Sequence, residues 1–399
     1  MYPPIIKVLQ MDRIYLDHSA TTPLASAVLE AMLPYMSSHF GNASSIHSFG
    51  RDAKVAVDEA RDKIVAALHA APQEIIFTSG GTEANNLAIF GIARTFDSPR
   101  HLITSRIEHP SVLSAVRQLE KRGWNVSYVS ADTDGIVSVE AVMKAIRPET
   151  VLISIMHANN ETGAINPIED LARLASERKI PLHVDAVQTF GKLEIDSRKI
   201  PFTLLSLSGH KIYGPKGCGV LFVRRGLKID PLLLGGKQER GRRAGTENVA
   251  AIVGLGKAAE MRTPQLAEEH ARLRLLSESL YSGIQQCYPR ATLNGHPEKR
   301  LPGVLNLSFP GFDSLSLVMS LDLHGVAVSN GSACSSGSVE PSHVLRAMNL
   351  SPERANSAIR FSLGKDTTEA EIVATLEALE KILQRKKRAP QPRETLVPA

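Results

Sequence analysis

From about residue 74 onward, short apolar runs alternate with longer amphipathic stretches. The segments "EIIFTS", "HLITSR", "NVSYVSA", "TVLISIMHA", "PLHVDAV", "TLLSLSG" and "GCGVLFVR" read as strands. "TEANNLAIFGIART" and the stretch from about Ser111 to Arg122 read as helices between them, the first opened by Thr82 with Glu83 in its first turn. Continuous β-branched runs separated by helices predict an α/β fold, a mostly parallel sheet covered by helices on both faces. Ligands of such sheets bind beyond the carboxyl ends of the strands.

Near residue 246 the pattern changes. A helical stretch from about Thr246 to Gln286 leads into "GVLNLSF", "SLSLVMSLDLHGVAVS", "AIRFSLG" and a last helix from about Thr368 to Lys386. This predicts a smaller α+β domain joined by a helix rather than a flexible linker. The expected division is a large domain over 14–260, a small domain over 261–388 that carries the loop around Cys334, and a disordered tail over 389–399. Residues 1–20 are expected to pack with the small domain or a partner chain, and Met11 is an alternative start.

Composition narrows the setting. The chain has 399 residues, 43% of them hydrophobic and 22% charged, which suits a globular protein with sizeable cores. Its formal charge is +5, but "QRKKRAPQPRE" holds five cations and one Glu, so the rest carries about +1. That tail reads as a solvated helix end, with an acidic docking partner as the alternative. Nothing argues for a body that binds nucleic acid. Three scattered cysteines are too few for a disulfide framework or a zinc site, which favours a reducing compartment, the cytoplasm. No apolar run is long enough to span a membrane, and the N-terminus does not read as a signal peptide.

Several polar groups fall where the strands end. "SGGTEANN" joins a strand to a helix N-terminus, where Gly81 and Thr82 expose backbone N–H groups to an anion. No Gly-Lys-Ser/Thr follows, so it is not a Walker loop, and a plain capping turn is an equal reading. "HVDAVQ" sets Asp185 and Gln188 after an apolar run, Asp185 being either an ion-pair member or a charge held against a cationic ligand atom. "SLSGHKIYGPKGCG" brings Ser208, His210 and Lys211 to the next strand end. Partial burial there would lower the pKa of Lys211 and make it a Schiff-base nucleophile, against the simpler reading of a surface lysine. Its glycines do not fit a dinucleotide fingerprint. Together the set offers a phosphate cradle, a carboxylate for a pyridinium nitrogen and a lysine for an aldehyde, the groups that pyridoxal phosphate needs.

With "IYLDHSATTPL", "FTSGGTEANNLAI", "HANNETGAINPI", "HVDAVQTFGK", "SLSGHKIYGPKG", "ERGRRAGTEN" and "SNGSACSSGSVEPSHVLRAM" in one order, the sequence resembles the cysteine desulfurases of the NifS/IscS class. These are fold-type I pyridoxal phosphate enzymes of the class V aminotransferase family. The resemblance implies that Lys211 bonds the cofactor aldehyde, Asp185 pairs with the pyridinium nitrogen and Gln188 bonds the phenolate oxygen. It implies that His109 stacks on the ring and assists proton transfer, a role compatible with capping the helix that Pro110 begins. Gly81, Thr82, Ser208 and His210 would bind the phosphate, and Thr246 would reach the phosphate of the other subunit of a homodimer. Asn160 and Arg360 would hold the substrate carboxylate; the simpler reading of Arg360 is a buried ion pair.

The resemblance also gives Cys334 a task. Its thiolate would take sulfur from L-cysteine as a persulfide and release L-alanine, on a Ser- and Gly-rich segment anchored where Glu340, Pro341 and Ser342 begin the next helix. No resident metal is expected, although Cys334 could transiently ligate an iron–sulfur cluster. Cys218 and Cys287 read as packing thiols. His18 stands where many relatives carry Tyr and is not expected to be catalytic. The long C-terminal segment with which many IscS-type members dock a cluster scaffold is not recognisable. That leaves the acceptor open between an iron–sulfur scaffold, a tRNA-thiolation protein and a DNA-phosphorothioation system. A selenocysteine lyase, a small-substrate aminotransferase and a silent homologue in an assembly are the competing functions.

Overall fold

In the computed structural model, neighbouring residues of the apolar runs point into different cores, as a pleated strand requires. Leu102, Leu152, Leu204 and Leu221 pack in one apolar cluster, while Ile103, Ile153, Leu205 and Phe222 pack in another. The structure describes residues 13–262, 266–330 and 341–388; Met11, Cys334, Glu340 and the tail from residue 389 lie outside the described residues.

The chain opens with β1 (Ile14–Tyr15), α1 (Ser26–Met36) and α2 (Ser48–Leu68). Then follow β2 (Ile75–Thr78), α3 (Gly81–Ala93), β3 (His101–Ser105), α4 (Pro110–Glu120), β4 (Asn125–Val129), α5 (Val139–Ala145), β5 (Thr150–Met156) and α6 (Ile168–Glu177). β6 (Leu182–Asp185), β7 (Leu204–Ser208) and β8 (Gly219–Val223) complete a seven-stranded sheet of order β2-β8-β7-β6-β5-β3-β4. All neighbours are parallel except β8, which runs antiparallel to both β2 and β7. Residues of α3 and α4 share one core with the sheet and residues of α2 and α6 share the other.

The helical stretch expected from about Thr246 to Gln286 holds α7 (Val249–Arg262) and α8 (Leu266–Cys287). β9 (Thr292–Asn294), β10 (Val304–Ser308), α9 (Ser314–Leu323) and β11 (Val326–Ala327) come next. α10 (His343–Ala347), α11 (Pro352–Asn356), β12 (Ala358–Ser362) and α12 (Glu369–Arg388) end the described chain. β12, β10 and β9 form an antiparallel sheet whose apolar face packs with α8, α9 and α12. β1 pairs in parallel with β11, and Ile14 and Leu16 join this second core. Val344, Leu345 and Met348 of the α10 region pack instead in the core of the large sheet.

Candidate active site

The carboxyl ends of β2, β3, β5, β6 and β7 converge on one cavity of about 350 Å³. It is lined by Gly81, Thr82, His109, Asn160, Asp185, Gln188, Ser208, His210, Lys211 and Arg360 among others. Gly80, at the turn from β2 to α3, has φ +149°, a backbone that side chains rarely adopt. A Cβ on Gly81 would meet Val187 Cγ2 at 2.6 Å. Both glycines therefore keep the first turn of α3 bare on the cavity side.

Asp185 ends β6 almost wholly buried. Its Oδ2 accepts from Asn85 Nδ2 at 2.8 Å and its Oδ1 from the amide of Val187 at 3.0 Å. Each oxygen of this buried carboxylate thus has a donor. On the same sheet face, His183 Nδ1 meets Ser154 Oγ at 2.8 Å and Nε2 meets Ser206 Oγ at 2.9 Å, which satisfies the buried polar floor.

His109 is the N-cap of α4: its Nδ1 accepts from the amide of Ser111 at 3.1 Å. Because Nδ1 accepts, a neutral ring carries its proton on Nε2. Desolvation lowers the His109 pKa, against the pull of Asp185, so the ring is neutral near pH 7. His210 is likewise pushed down to about 4, by burial first and then by Lys211, Lys216 and Lys192.

Lys211 follows β7 in a single helical turn and donates from Nζ to the carbonyls of Ser19 at 2.5 Å and Ala20 at 2.7 Å. Arg360, on β12, is 2% exposed. It lines the cavity, and it pairs through Nη2 with Asp17 Oδ1 at 2.6 Å, the buried ion pair that was the simpler reading. Its Nη1 donates to the carbonyl of Asn160 at 2.8 Å, and its Nε has no hydrogen-bond partner among the described residues.

Thr246 is exposed and does not line this cavity. Its segment is tied to the site by Arg243, whose Nε donates to Glu83 Oε1 at 2.8 Å in the first turn of α3. Burial pushes the Cys218 thiol up to about 12, which leaves it a packing group. Cys287 ends α8, partly buried, with Sγ 3.4 Å from the carbonyl of Ile284. His18 is buried and pushed down to about 4, chiefly by desolvation. Among the described residues, no group of three or more His, Cys, Asp or Glu could hold a metal, and no helix is long and apolar enough to cross a membrane.

Comparison with known proteins settles the family. The family model described as Aminotransferase class-V matches residues 14–374. The chain belongs to the class V aminotransferase family. A cysteine desulfurase IscS of Dictyoglomus turgidum is 48% identical over 373 residues, 93% of this chain and 95% of the relative. A solved NifS-like protein superposes with a TM-score of 0.89 at 38% identity, covering 94% of this chain and 100% of the other. A structure of SspA in complex with cysteine gives 0.79 at 40%, over 88% and 98%.

Within the class V family the chain is a pyridoxal phosphate-dependent cysteine desulfurase with the NifS-like, fold-type I architecture. The residues present fit the cofactor: a bare helix N-terminus, a doubly bonded buried carboxylate and a lysine meet in a single cavity. Several polar partners here carried no role in the sequence reading, namely Asn85, Asp17, Ser19, Lys192 and Glu161. Glu161 is buried beside Arg360, accepts from Ser342 Oγ at 2.5 Å, and is pushed up to about 7 by desolvation. Their only sequence signal was membership of the quoted motifs.

Proposed function

We propose that this cavity converts L-cysteine to L-alanine with Lys211, His109 and Cys334 as the catalytic residues, and that Cys334 carries the sulfur onward as a persulfide. When bound, pyridoxal phosphate supplies an aldehyde for an amino group and a ring that draws electrons from the substrate α-carbon. Gly81 and Thr82 hold the phosphate at the N-terminus of α3, with Ser208 and neutral His210 as further partners. Thr246 reaches the phosphate held by the partner subunit. Asp185 keeps a proton on the ring nitrogen, Gln188 bonds the ring oxygen, and Lys211 Nζ is the amine for the aldehyde. Asn160 and Arg360 orient the substrate carboxylate, the latter through a planar fork. His109, protonated at Nε2, stacks on the ring and moves a proton near the α-carbon. Cys334 Sγ bonds the substrate sulfur as the Cβ–S bond breaks; the electron pair stays with carbon, which takes a proton and leaves as alanine.

The observation that carries this reading is the convergence of Lys211, Asp185 and Arg360 on one cavity. The functional unit is a homodimer, a reading supported by Leu33, Met36, Phe40 and Phe49, which are 51%, 64%, 72% and 54% exposed. The acceptor is an iron–sulfur scaffold, which the IscS names of the relatives favour, and the reducing cytoplasm is where a free Cys334 thiol persists. Cys334→Ala tests the assignment: loss of alanine formation from cysteine supports it, while retained turnover would point to an aminotransferase-type reaction.

A further inference from the structure

Gln188 faces the cavity with both ends of its amide engaged. Its Oε1 accepts from Lys192 Nζ at 3.4 Å and its Nε2 donates to the carbonyl of Ser19 at 3.0 Å, in a side chain that is nearly buried. The two ends of an amide are alike in shape and opposite in hydrogen bonding. Turned over, it would set its oxygen against the Ser19 carbonyl whatever the charge of Lys192, and its N–H groups against the N–H groups of a Lys192 ammonium. Ser19 is itself held, its amide donating to Ser362 Oγ at 2.9 Å. Nε2 carries two hydrogens and Ser19 takes one, which leaves the other for the cavity.

Lys192 has no part in the chemistry described above. The cations around it are Lys211, Arg262 and Arg360, the acidic neighbour is Glu269, and His18 is close by. Desolvation first, then Lys211 and Arg262, depress it to about 7. Ammonium and amine alike donate N–H, so its hold on Gln188 Oε1 persists through that titration.

We propose that Lys192 is a positioning residue that locks the Gln188 amide with an N–H toward the cavity, so that the site offers a donor to an anionic oxygen on the cofactor ring. This deepens the role given to Gln188 above and rests on it. A glutamine without Lys192 would lose one of the two contacts that fix its orientation, and the site would present an amide oxygen part of the time. An acceptor facing a phenolate oxygen repels it.

The test is the pH midpoint of the visible absorption change of the bound cofactor, read on the holoenzyme in four proteins: wild type, Lys192→Met, Gln188→Ala and the double variant. Losing a donor to an anionic oxygen makes that oxygen bind protons more tightly, so Gln188→Ala raises the midpoint by about one pH unit. Lys192→Met alone raises it in the same direction, Lys192→Arg brings it back toward wild type, and Lys192→Met adds nothing once Gln188 is Ala. An equal rise from Lys192→Met in both backgrounds overturns the proposal alone, because Lys192 then acts by its charge and not through the amide. A midpoint unmoved by Gln188→Ala overturns the role of Gln188 and the proposal with it. Melting temperatures of the cofactor-free variants separate either result from misfolding.

Discussion

Asn85 donates one amide N–H to Oδ2 of Asp185 across 2.8 Å, with both residues nearly buried. Its other N–H reaches Ser111 Oγ at 2.8 Å, and that hydroxyl lies 2.8 Å from Nδ1 of His109. One side chain on α3 therefore ties the carboxylate at the end of β6 to the imidazole that caps α4. Hydrogen bonds to a buried charge contribute about 1.5–3 kcal/mol. Asn85→Ala is expected to weaken pyridoxal phosphate binding by about 10- to 100-fold in a titration of the cofactor-free protein. Asn85→Asp sets a second carboxylate against Asp185 and weakens it further. Unchanged affinity in both would contradict the tie.

Glu108 gives stability a pH dependence of its own. Burial pushes it up to about 8 from 4.5, with Asp185 adding to the rise and hydrogen bonds from Ser105 and Met156 opposing it. Because the folded value lies above the unfolded one, the contribution is full below about 4.5 and is lost as pH rises through about 8. Glu108→Gln keeps the Oε1 acceptor for Ser105 Oγ and Met156 N. Calorimetry should find the variant more stable at pH 8, by about 1–3 kcal/mol, and with a flatter profile between pH 5 and 8.

His183 acts with the opposite sign. Burial pushes it down to about 3 from 6.5, so the unfolded chain binds the proton first and stability falls as pH drops from about 6.5 toward 3. His183→Gln is expected to lower stability at pH 7 by about 1–2 kcal/mol through lost hydrogen bonds to Ser154 and Ser206. It should also reduce the slope of melting temperature against pH below 6.5. An unchanged acid slope would exclude His183 as its source.

Ser342 has two tasks. Its Oγ donates to Glu161 Oε2 and accepts from the amides of Val344 and Leu345 at the start of α10. Ser342→Ala strips a buried carboxyl and a helix start at once, for about 1–3 kcal/mol. Hydrogen exchange at Val344 and Leu345 should quicken in the Ala variant and recover in Ser342→Thr.

The parts of this molecule that were legible in the sequence are those set by neighbours along the chain. Strands β5, β6 and β7 were visible as short runs rich in apolar residues because both of their faces are covered. Asp185 and Lys211 were visible because polar residues interrupt those runs at the carboxyl ends. Asn85, Asp17 and Glu161 could not be read as site partners, because each meets its partner across 100, 343 and 181 residues respectively. A polar residue inside a helix or loop looks solvated until the fold brings its partner to it. Arg360 shows the same limit, since its ion-pair partner Asp17 lies 343 residues away in the chain.

The central claim is that Cys334 receives the sulfur. The most direct measurement supplies the holoenzyme with L-cysteine, quantifies alanine, and maps persulfide sulfur among the three cysteines by mass spectrometry. The account predicts alanine together with a persulfide on Cys334, and neither in Cys334→Ala. A persulfide mapped to Cys218 or Cys287, or alanine formed undiminished by the variant, would contradict it.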